Sequence, residues 1–251
     1  MSSFSFDLTG RTALVTGASS GFGERFGRLL SGSGAQVALA ARRKERLDAL
    51  ADELGEGACS VAMDVGSEAE IIAGYDAAEA ALGTVDTIIA NAGIDGAGMV
   101  TQISEEEIER TLSINLKGAI LTAREGAKRM IAAGTKRGRI VLIASITAFE
   151  PSPGLVAYSA SKAGVVQAGK SMAREWARAG ISINTISPGY IRTDINADWF
   201  ETEHGKRQIN RFPRKRLMEQ DGLDAMLLFL SSDAAEFVTG TDFVLDDGQT
   251  L

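Results

Sequence analysis

The sequence predicts an α/β fold in which about seven strands form one doubly wound parallel sheet with helices on both faces. The main indication is that short apolar runs rich in β-branched residues alternate with longer stretches of helical periodicity. The chain of 251 residues contains no internal repeat, low-complexity segment or linker. We therefore interpret residues 1–251 as a single domain.

The elements follow in a regular order. The predicted strands occupy residues 11–16, 36–40, 58–63, 84–90, 139–145, 181–187 and 242–245. The predicted helices lie at 22–33, 43–54, 67–82, 104–133, 157–179 and 222–231. The polar stretch 191–216 is longer than a connection needs, and is either a substrate lid or a surface excursion. As a lid, its Trp199, Phe200 and Phe212 would favour a bulky apolar substrate, although aromatic residues also simply pack.

Composition argues against several classes of protein. A formal net charge of -7 and a pI near 4.9 argue against a nucleic-acid binder, which needs lysine and arginine to neutralise phosphates. The basic run Arg211–Arg216 is interpreted as a solvated loop rather than a polyanion site. A single cysteine, Cys59, favours a reducing compartment. No signal peptide or transmembrane stretch is recognised, so we expect a cytoplasmic protein without a membrane partner.

The residues available for chemistry are few. His204 is the one histidine and Cys59 the one cysteine, which leaves almost no material for a metal site or a histidine-dependent triad. We therefore expect no metal and a different acid–base group. Tyr158 and Lys162 lie four residues apart and share a helix face, so they could form a proton donor and its activator, or an ordinary surface pair.

A glycine-rich turn follows the first predicted strand. The sequence TGASSGFG places Gly17, Gly21 and Gly23 where a helix begins. Glycines at such a point let the backbone approach a pyrophosphate, whose charge is favoured at a helix N-terminus. The expected phosphate-binding residues of this turn are Gly17, Ser19, Ser20, Gly21, Phe22 and Gly23.

The end of the second strand indicates which dinucleotide binds. NAD-binding folds of this type carry a carboxylate there for the ribose 2′-hydroxyl. This chain has Ala41 instead, followed by Arg42 and Arg43, whose guanidinium groups match a 2′-phosphate. The alternative is that both arginines merely start a charged helix. We predict a preference for NADP(H) over NAD(H).

Together with YSASK at Tyr158–Lys162, further motifs make the chain resemble the short-chain dehydrogenase/reductase family over nearly its whole length. TGASSGFG resembles the cofactor turn of that family. Ser145 lies thirteen residues before Tyr158, as the family serine does. The other matching segments are NAG at Asn91, Ala92 and Gly93, NLKG from Asn115, MDV with Asp64 and Val65, and SPGYIRT with Pro188, Gly189, Ile191 and Thr193.

The resemblance implies a Rossmann-like fold and a set of site roles. Tyr158 would exchange a proton with the substrate, and Ser145 would donate a hydrogen bond to the substrate oxygen. Lys162 would bind the nicotinamide ribose and favour the phenolate, which needs roughly 4 kcal/mol to ionise near neutral pH. Asn115 would hold a relay water. The segments around Asn91 and Pro188 would border the cofactor, and Asp64 would contact the adenine unless it caps a helix.

The resulting functional hypothesis is an NADP(H)-dependent alcohol dehydrogenase or carbonyl reductase. A 3-oxoacyl thioester reductase is the alternative, to which the Arg211–Arg216 run would point if it lined a phosphopantetheine path. A nucleotide-binding regulator without chemistry is the third hypothesis, because fold alone does not establish activity. In the family, helices corresponding to 104–133 and 157–179 pack across subunit interfaces, which implies a homodimer or homotetramer.

Overall fold

The computed structural model describes residues 6–192 and 197–251. Seven parallel strands form one sheet in the order β3-β2-β1-β4-β5-β6-β7, which confirms the predicted doubly wound fold. The strands are β1 Thr12–Thr16, β2 Gln36–Ala41, β3 Ala58–Ala62, β4 Thr87–Ala90, β5 Gly138–Ile143, β6 Ile181–Pro188 and β7 Asp242–Leu245. All pairs in this order are parallel, as expected when helices form the crossover connections.

Helices cover both faces of the sheet. They are α1 Gly21–Gly32, α2 Lys44–Leu54, α3 Glu68–Leu82, α4 Glu105–Leu112, α5 Gly118–Ala132, α6 Val156–Trp176, α7 Ala197–Glu201, α8 Glu203–Arg211 and α9 Asp224–Ser231. One core, around Tyr75 and Met130, packs α3, α5 and α6 against the sheet. The other, around Phe26 and Leu227, packs α1, α2 and α9 against the opposite face.

The strand order places a crevice at the carboxyl ends of β1 and β4. The chain winds outward from β1 through β2 to β3, then returns to β4 on the other side of β1. Connections that leave neighbouring strands in opposite directions open a gap, and ligands of open α/β sheets bind in that gap. The glycine turn after β1 and the Asn91 segment after β4 both lie there.

The long helix predicted at 104–133 is interrupted. Ser104 and Glu107 form a capping box that starts α4. A π-helical segment at Ser113–Lys117 then separates α4 from α5. Amphipathic periodicity does not reveal such an interruption, because one extra residue shifts the pattern without breaking the helix.

Other boundaries differ from the predictions by a few residues. β4 begins at Thr87 rather than 84, because the Val85 amide donates to the Glu79 carboxylate instead of to a strand. The helix predicted at 157–179 ends as α6 at Trp176 and continues as a 3-10 turn at Ala177–Ala179. The described part of 191–216 contains α7 and α8, which the polar composition did not predict. Within the described ranges, no helix has the length and apolar character to cross a membrane.

Candidate active site

The glycine turn has the shape of a phosphate cradle. Gly17 and Gly21 have φ of +70° and +56°, a region in which side chains are strained. A Cβ on Gly23 would lie 2.3 Å from the Gly17 carbonyl oxygen, so only glycine fits there. α1 then begins at Gly21, and its N-cap residue Ser20 makes no side-chain capping bond. These features fit a pyrophosphate at the first turn of α1, the group that the sequence predicted.

Asn91, after β4, is hydrogen-bonded to Thr16 at the end of β1, across the crevice. Its side-chain Nδ2 donates to the Thr16 carbonyl at 3.0 Å, and its backbone amide donates to Thr16 Oγ1 at 3.0 Å. The Ala92 amide donates to the same hydroxyl at 3.1 Å. Thr16 thus fixes the spacing between β1 and β4, a role that nothing in the sequence indicated. The NAG segment therefore lies beside the glycine turn, and its contact with a cofactor stays a prediction.

Arg43 folds back over the glycine turn. Its Nε and Nη2 donate to Ser19 Oγ at 3.1 and 2.9 Å, and Nη2 also donates to Ser20 Oγ at 2.7 Å. Arg42 is exposed beside it, and Ala41 is buried at the strand end. The guanidinium is thereby held over the glycine turn, and its Nη1 group takes no part in the bonds to the two serines. Arg43 is at the same time the N-cap residue of the charged helix α2, so its position also agrees with the alternative.

Asp64 does not cap α3, so that alternative is wrong. Ser67 is the N-cap, and its side chain accepts from the Glu70 amide. Asp64 Oδ1 instead accepts from the Gly66 amide at 2.8 Å and shapes the turn after β3. Val65 is buried against Gly118, where a Cβ would lie 2.9 Å from the Val65 carbonyl oxygen. Asp64 and Val65 therefore stand two strands away from β1, on the adenine side of the crevice that the resemblance implies.

Asn115 lies in the π-helical segment and holds the loop that follows NAG. Its Oδ1 accepts from the Ile94 amide at 2.8 Å, and its Nδ2 donates to the Ile94 carbonyl at 2.8 Å. Nδ2 also donates to Ser161 Oγ on α6 at 3.1 Å. π-helical turns inside α-helices are frequent at functional sites. The side chain thereby joins three parts of the site, while the relay water remains a prediction.

Lys162 is buried beside Tyr158. Its Nζ donates to the Ile143 carbonyl at the end of β5, at 2.8 Å, and lies 5.5 Å from the centroid of the Tyr158 ring. Burial lowers the pKa of Lys162 to about 8. A Cβ on Gly93 would lie 3.5 Å from Nζ, so the NAG glycine leaves room at the same point. Tyr158 and Lys162 thus lie on the same face of α6, as their spacing predicted.

Ser145 completes the group, two residues beyond the end of β5. Its Oγ accepts from the Thr147 amide at 3.2 Å and from Thr147 Oγ1 at 3.1 Å. With those acceptor positions filled, the Ser145 proton is free to point toward Tyr158 and a substrate oxygen. Thr147 is a further residue that sequence reasoning missed.

The Tyr158 phenol is harder to ionise in this structure than the sequence analysis expected. Burial raises the pKa of Tyr158 to about 12, against a hydrogen bond with Ser145 that lowers it, and Asp95 and Tyr190 raise it further. The expected lowering toward neutrality is therefore not produced by this protein's residues alone. Lys162 is not among the groups that shift the pKa of Tyr158. Asp95 was not recognised from the sequence.

The SPGYIRT segment borders the same edge. Pro188 ends β6, and the Gly189 amide continues to bond the Leu245 carbonyl at 2.9 Å. Ile191 is buried and pairs with Met218 through a parallel bridge. Thr193 lies outside the described residues. Tyr190 belongs to SPGYIRT but was given no role from the sequence, and its partner Gln249 lies outside every quoted motif.

The aromatic residues of the predicted lid mostly pack among themselves. Phe200 and Phe212 are buried against Tyr190, and the Trp199 ring packs edge-on against Phe200. They give no support to a bulky apolar substrate. Among the residues that the structure describes, no three His, Cys, Asp or Glu side chains are grouped to hold a metal ion.

Comparison with known proteins supports the resemblance. Residues 11–204 match the family model of the short chain dehydrogenases. The chain is 37% identical to D-threitol dehydrogenase of Mycolicibacterium smegmatis, over 99% of this chain and 96% of that protein. It is 30% identical to the 3-oxoacyl-[acyl-carrier-protein] reductase of Rickettsia conorii, over 98% of this chain and 99% of that protein.

A solved structure agrees with the fold and bears on the cofactor. Gluconate 5-dehydrogenase from Burkholderia cenocepacia, crystallised with NADP and tartrate, superposes with a TM-score of 0.92 at 31% identity. The match covers 98% of this chain and 97% of that one. Family model, relatives and structure agree, and this chain belongs to the short-chain dehydrogenase/reductase family of oxidoreductases.

Proposed function

We propose that this oxidoreductase uses NADP(H) to interconvert a secondary alcohol and a carbonyl, with Tyr158 as the general acid–base. The observation that carries the proposal is that Ser145, Tyr158 and Lys162 meet at the sheet edge that also carries the glycine turn. The cradle fits a dinucleotide, because the glycines leave space that any Cβ would fill. When bound, NADP(H) supplies or accepts the hydride.

The protein's own residues manage the substrate oxygen. In reduction, Ser145 Oγ and the Tyr158 hydroxyl donate hydrogen bonds to the carbonyl oxygen and stabilise the charge that develops on it. Tyr158 then transfers its proton to that oxygen, and in oxidation it removes the proton. The high pKa of Tyr158 favours the protonated form, so the site is prepared as a donor. Lys162 and Asn115 hold the surroundings of the phenol in place.

The preference for NADP(H) is supported by Arg43. Gly17, Ser19–Gly23, Asn91–Gly93 and Pro188–Gly189 would hold the cofactor, and Arg42 and Arg43 would meet its 2′-phosphate. The fork of Arg43 is already oriented by the Ser19 and Ser20 hydroxyls. Little ordering cost then remains when a phosphate binds. Asp64 and Val65 are assigned to the adenine end, and Ile191 and Thr193 to the nicotinamide end.

Replacing Arg43 by leucine is expected to raise the Kd for NADPH about 10- to 100-fold and to leave the Kd for NADH within threefold. The reason is that a charge-assisted bond to a phosphate contributes about 1.5–3 kcal/mol. Fluorescence titration with each cofactor measures both constants. Arg178→Leu is the matched control, because Arg178 is an exposed arginine that precedes β6, at the opposite edge of the sheet. Equal losses for both cofactors would contradict the 2′-phosphate assignment.

Electrostatics favour an uncharged substrate over the 3-oxoacyl thioester. Asp95 is exposed and close enough to Tyr158 to raise the pKa of its phenol. A negative charge at that point disfavours an anionic substrate. Arg214 and Arg216 each bind Asp247 at 2.7 Å, so neither is held open for a phosphopantetheine phosphate. We therefore place neutral polyols and their ketoses ahead of acyl thioesters.

A substrate panel tests the function. With NADP⁺ the panel holds D-threitol and gluconate, and with NADPH it holds ketoses, aryl ketones, diketones and a 3-oxoacyl thioester, each repeated with NAD(H). We expect the largest kcat/KM on a neutral polyol or ketose. A thioester preferred over every neutral compound would favour the alternative function. Tight NADPH binding without turnover of any compound would favour a regulator.

We also propose that the protein forms a homodimer or homotetramer. The segment from α4 to α5 carries a shallow surface groove with an apolar lining. Its residues are Glu109, Leu112, Ser113, Leu116, Lys117 and Ile120. This groove lies on the helices that the family places at subunit interfaces, and a second copy of the chain would bury it.

A further inference from the structure

We propose that Gln249, in the segment after β7, is a positioning residue that fixes Tyr190 as one wall of the substrate site. The inference rests on the proposed function, because it concerns the substrate end of the same site. It assigns a role in substrate recognition to a side chain that lies outside every motif of the sequence analysis.

The Gln249 carboxamide bonds both the amide and the carbonyl of the Tyr190 backbone. Its Oε1 accepts from the Tyr190 amide at 2.6 Å, and its Nε2 donates to the Tyr190 carbonyl at 3.0 Å. The side chain is buried, at 9% exposure. Gln249 also packs against Gly189, the residue before Tyr190, because a Cβ on Gly189 would lie 2.6 Å from Gln249 Oε1. The Tyr190 carbonyl also accepts from the Met218 amide at 3.2 Å, so Gln249 is the partner of the Tyr190 amide and shares the Tyr190 carbonyl with Met218.

Gln249 is itself held by a compact turn. The Asp246 carboxylate accepts from the Gly248 and Thr250 amides, each at 2.9 Å, and from Thr250 Oγ1 at 2.6 Å. The Gln249 amide donates to the Asp246 carbonyl at 3.0 Å. Asp247, between them, binds Arg214 and Arg216 beyond α8. The turn thus connects the Tyr190 backbone with the end of the 191–216 segment.

The Tyr190 ring packs on two aromatic residues of the 191–216 segment. It stacks on Phe212 at 5.8 Å between centroids and meets Phe200 edge-on at 6.1 Å. Its hydroxyl lies 3.3 Å from Ser152 Oγ. Tyr190 is also close enough to Tyr158 to raise the pKa of that phenol. A substrate carbon chain extending from the Tyr158 oxygen would therefore meet the Tyr190 and Ser152 hydroxyls, which suits a hydroxylated substrate.

The test compares Gln249→Leu and Gln249→Glu with Asn184→Leu and Asn184→Asp. Asn184, on β6, is a matched control: its amide also accepts from one backbone amide, that of Thr241, and donates to one carbonyl, that of Val238. We expect each Gln249 variant to raise the KM of the best substrate at least tenfold, with kcat within threefold and NADPH Kd within twofold. The Asn184 variants should change KM by less than threefold, whatever their thermal stability.

Two further measurements make the role specific. In a Tyr190→Ala background, Gln249→Leu should add less than a twofold change in KM, because residues that act through one another are not additive. Hydrogen exchange of peptides covering 187–192 should rise in the Gln249 variants and stay at the wild-type level in the Asn184 variants. Exchange needs no substrate, so it tests the positioning even if wild-type turnover, and with it the proposed function, is absent. Equal exchange in both variant sets, or additive effects on KM, would overturn the inference.

Discussion

Replacing Tyr158 by phenylalanine is expected to lower kcat about a thousandfold while leaving the Kd for NADPH within a factor of two. The substitution removes the hydroxyl that we propose exchanges a proton with the substrate oxygen, and general acid–base catalysis typically contributes 10²–10⁴-fold. The ring that packs beside Lys162 is kept, so the cofactor side of the crevice should be unchanged. Steady-state kinetics on the best substrate of the panel, with fluorescence titration of NADPH, measures both quantities.

Tyr75→Phe provides the matched control for this loss. Tyr75 of α3 is fully buried, and its hydroxyl donates to the Thr122 carbonyl of α5 at 2.9 Å. Removing that hydroxyl should cost stability on the order of 1 kcal/mol and leave kcat within threefold. If Tyr158→Phe kept more than a tenth of wild-type turnover, another group would have to be the acid–base catalyst.

Replacing Lys162 by methionine is expected to lower kcat/KM at least a hundredfold without a large loss of stability. The variant removes the cation next to the phenol, but it also removes a buried charge, whose desolvation opposes folding. The Ile143 carbonyl loses its donor, which offsets part of the gain. Kinetics and chemical denaturation at pH 7 measure the two effects. Lys170→Met, an exposed lysine of the same helix, should leave activity unchanged.

The pH dependence of the free energy of unfolding tests whether Lys162 is a buried lysine with a lowered pKa. The pKa of Lys162 is about 8 in the folded protein and near 10.5 when unfolded, so between these values the unfolded chain binds more protons. The free energy of unfolding of the wild type, relative to Lys162→Met, should therefore rise as pH increases from 8 to 10.5. The full rise is about 3 kcal/mol. A constant difference over this range would contradict a buried lysine with a lowered pKa.

Much of the fold was predictable because its signals are local. Strands buried on both faces read as continuous apolar runs, so β1, β2, β5 and β6 were recognised within two residues. The glycine turn was also recognisable, because positive φ at Gly17 and the contact at Gly23 admit no other residue. The pairing of Tyr158 with Lys162 follows from helical spacing alone.

What could not be predicted depends on contacts between distant segments. Thr16 bonds Asn91 across 75 positions, and Gln249 bonds Tyr190 across 59. Thr16, Asn91 and Tyr190 lie in quoted motifs, but no local pattern indicates either of these pairings. The raised pKa of Tyr158 likewise arises from burial and from Asp95 and Tyr190, which approach it only in the folded chain. The spacing of Ser145, Tyr158 and Lys162 indicated which residues form the candidate site, but not how burial shifts the pKa of Tyr158 and Lys162.

The π-helical segment at Ser113–Lys117 changes which side of the continuous helix from α4 to α5 faces the core. A turn with about one extra residue rotates everything that follows by roughly 100° about the helix axis, given 3.6 residues per α-helical turn. α4 and α5 can therefore have apolar faces that point in different directions. In α4, Thr111 packs against Gly96 of the loop after NAG, while Ala123, Ala127 and Met130 of α5 pack in the core against the sheet. Asn115 lies where the two patterns meet, and its side chain reaches both Ile94 and Ser161.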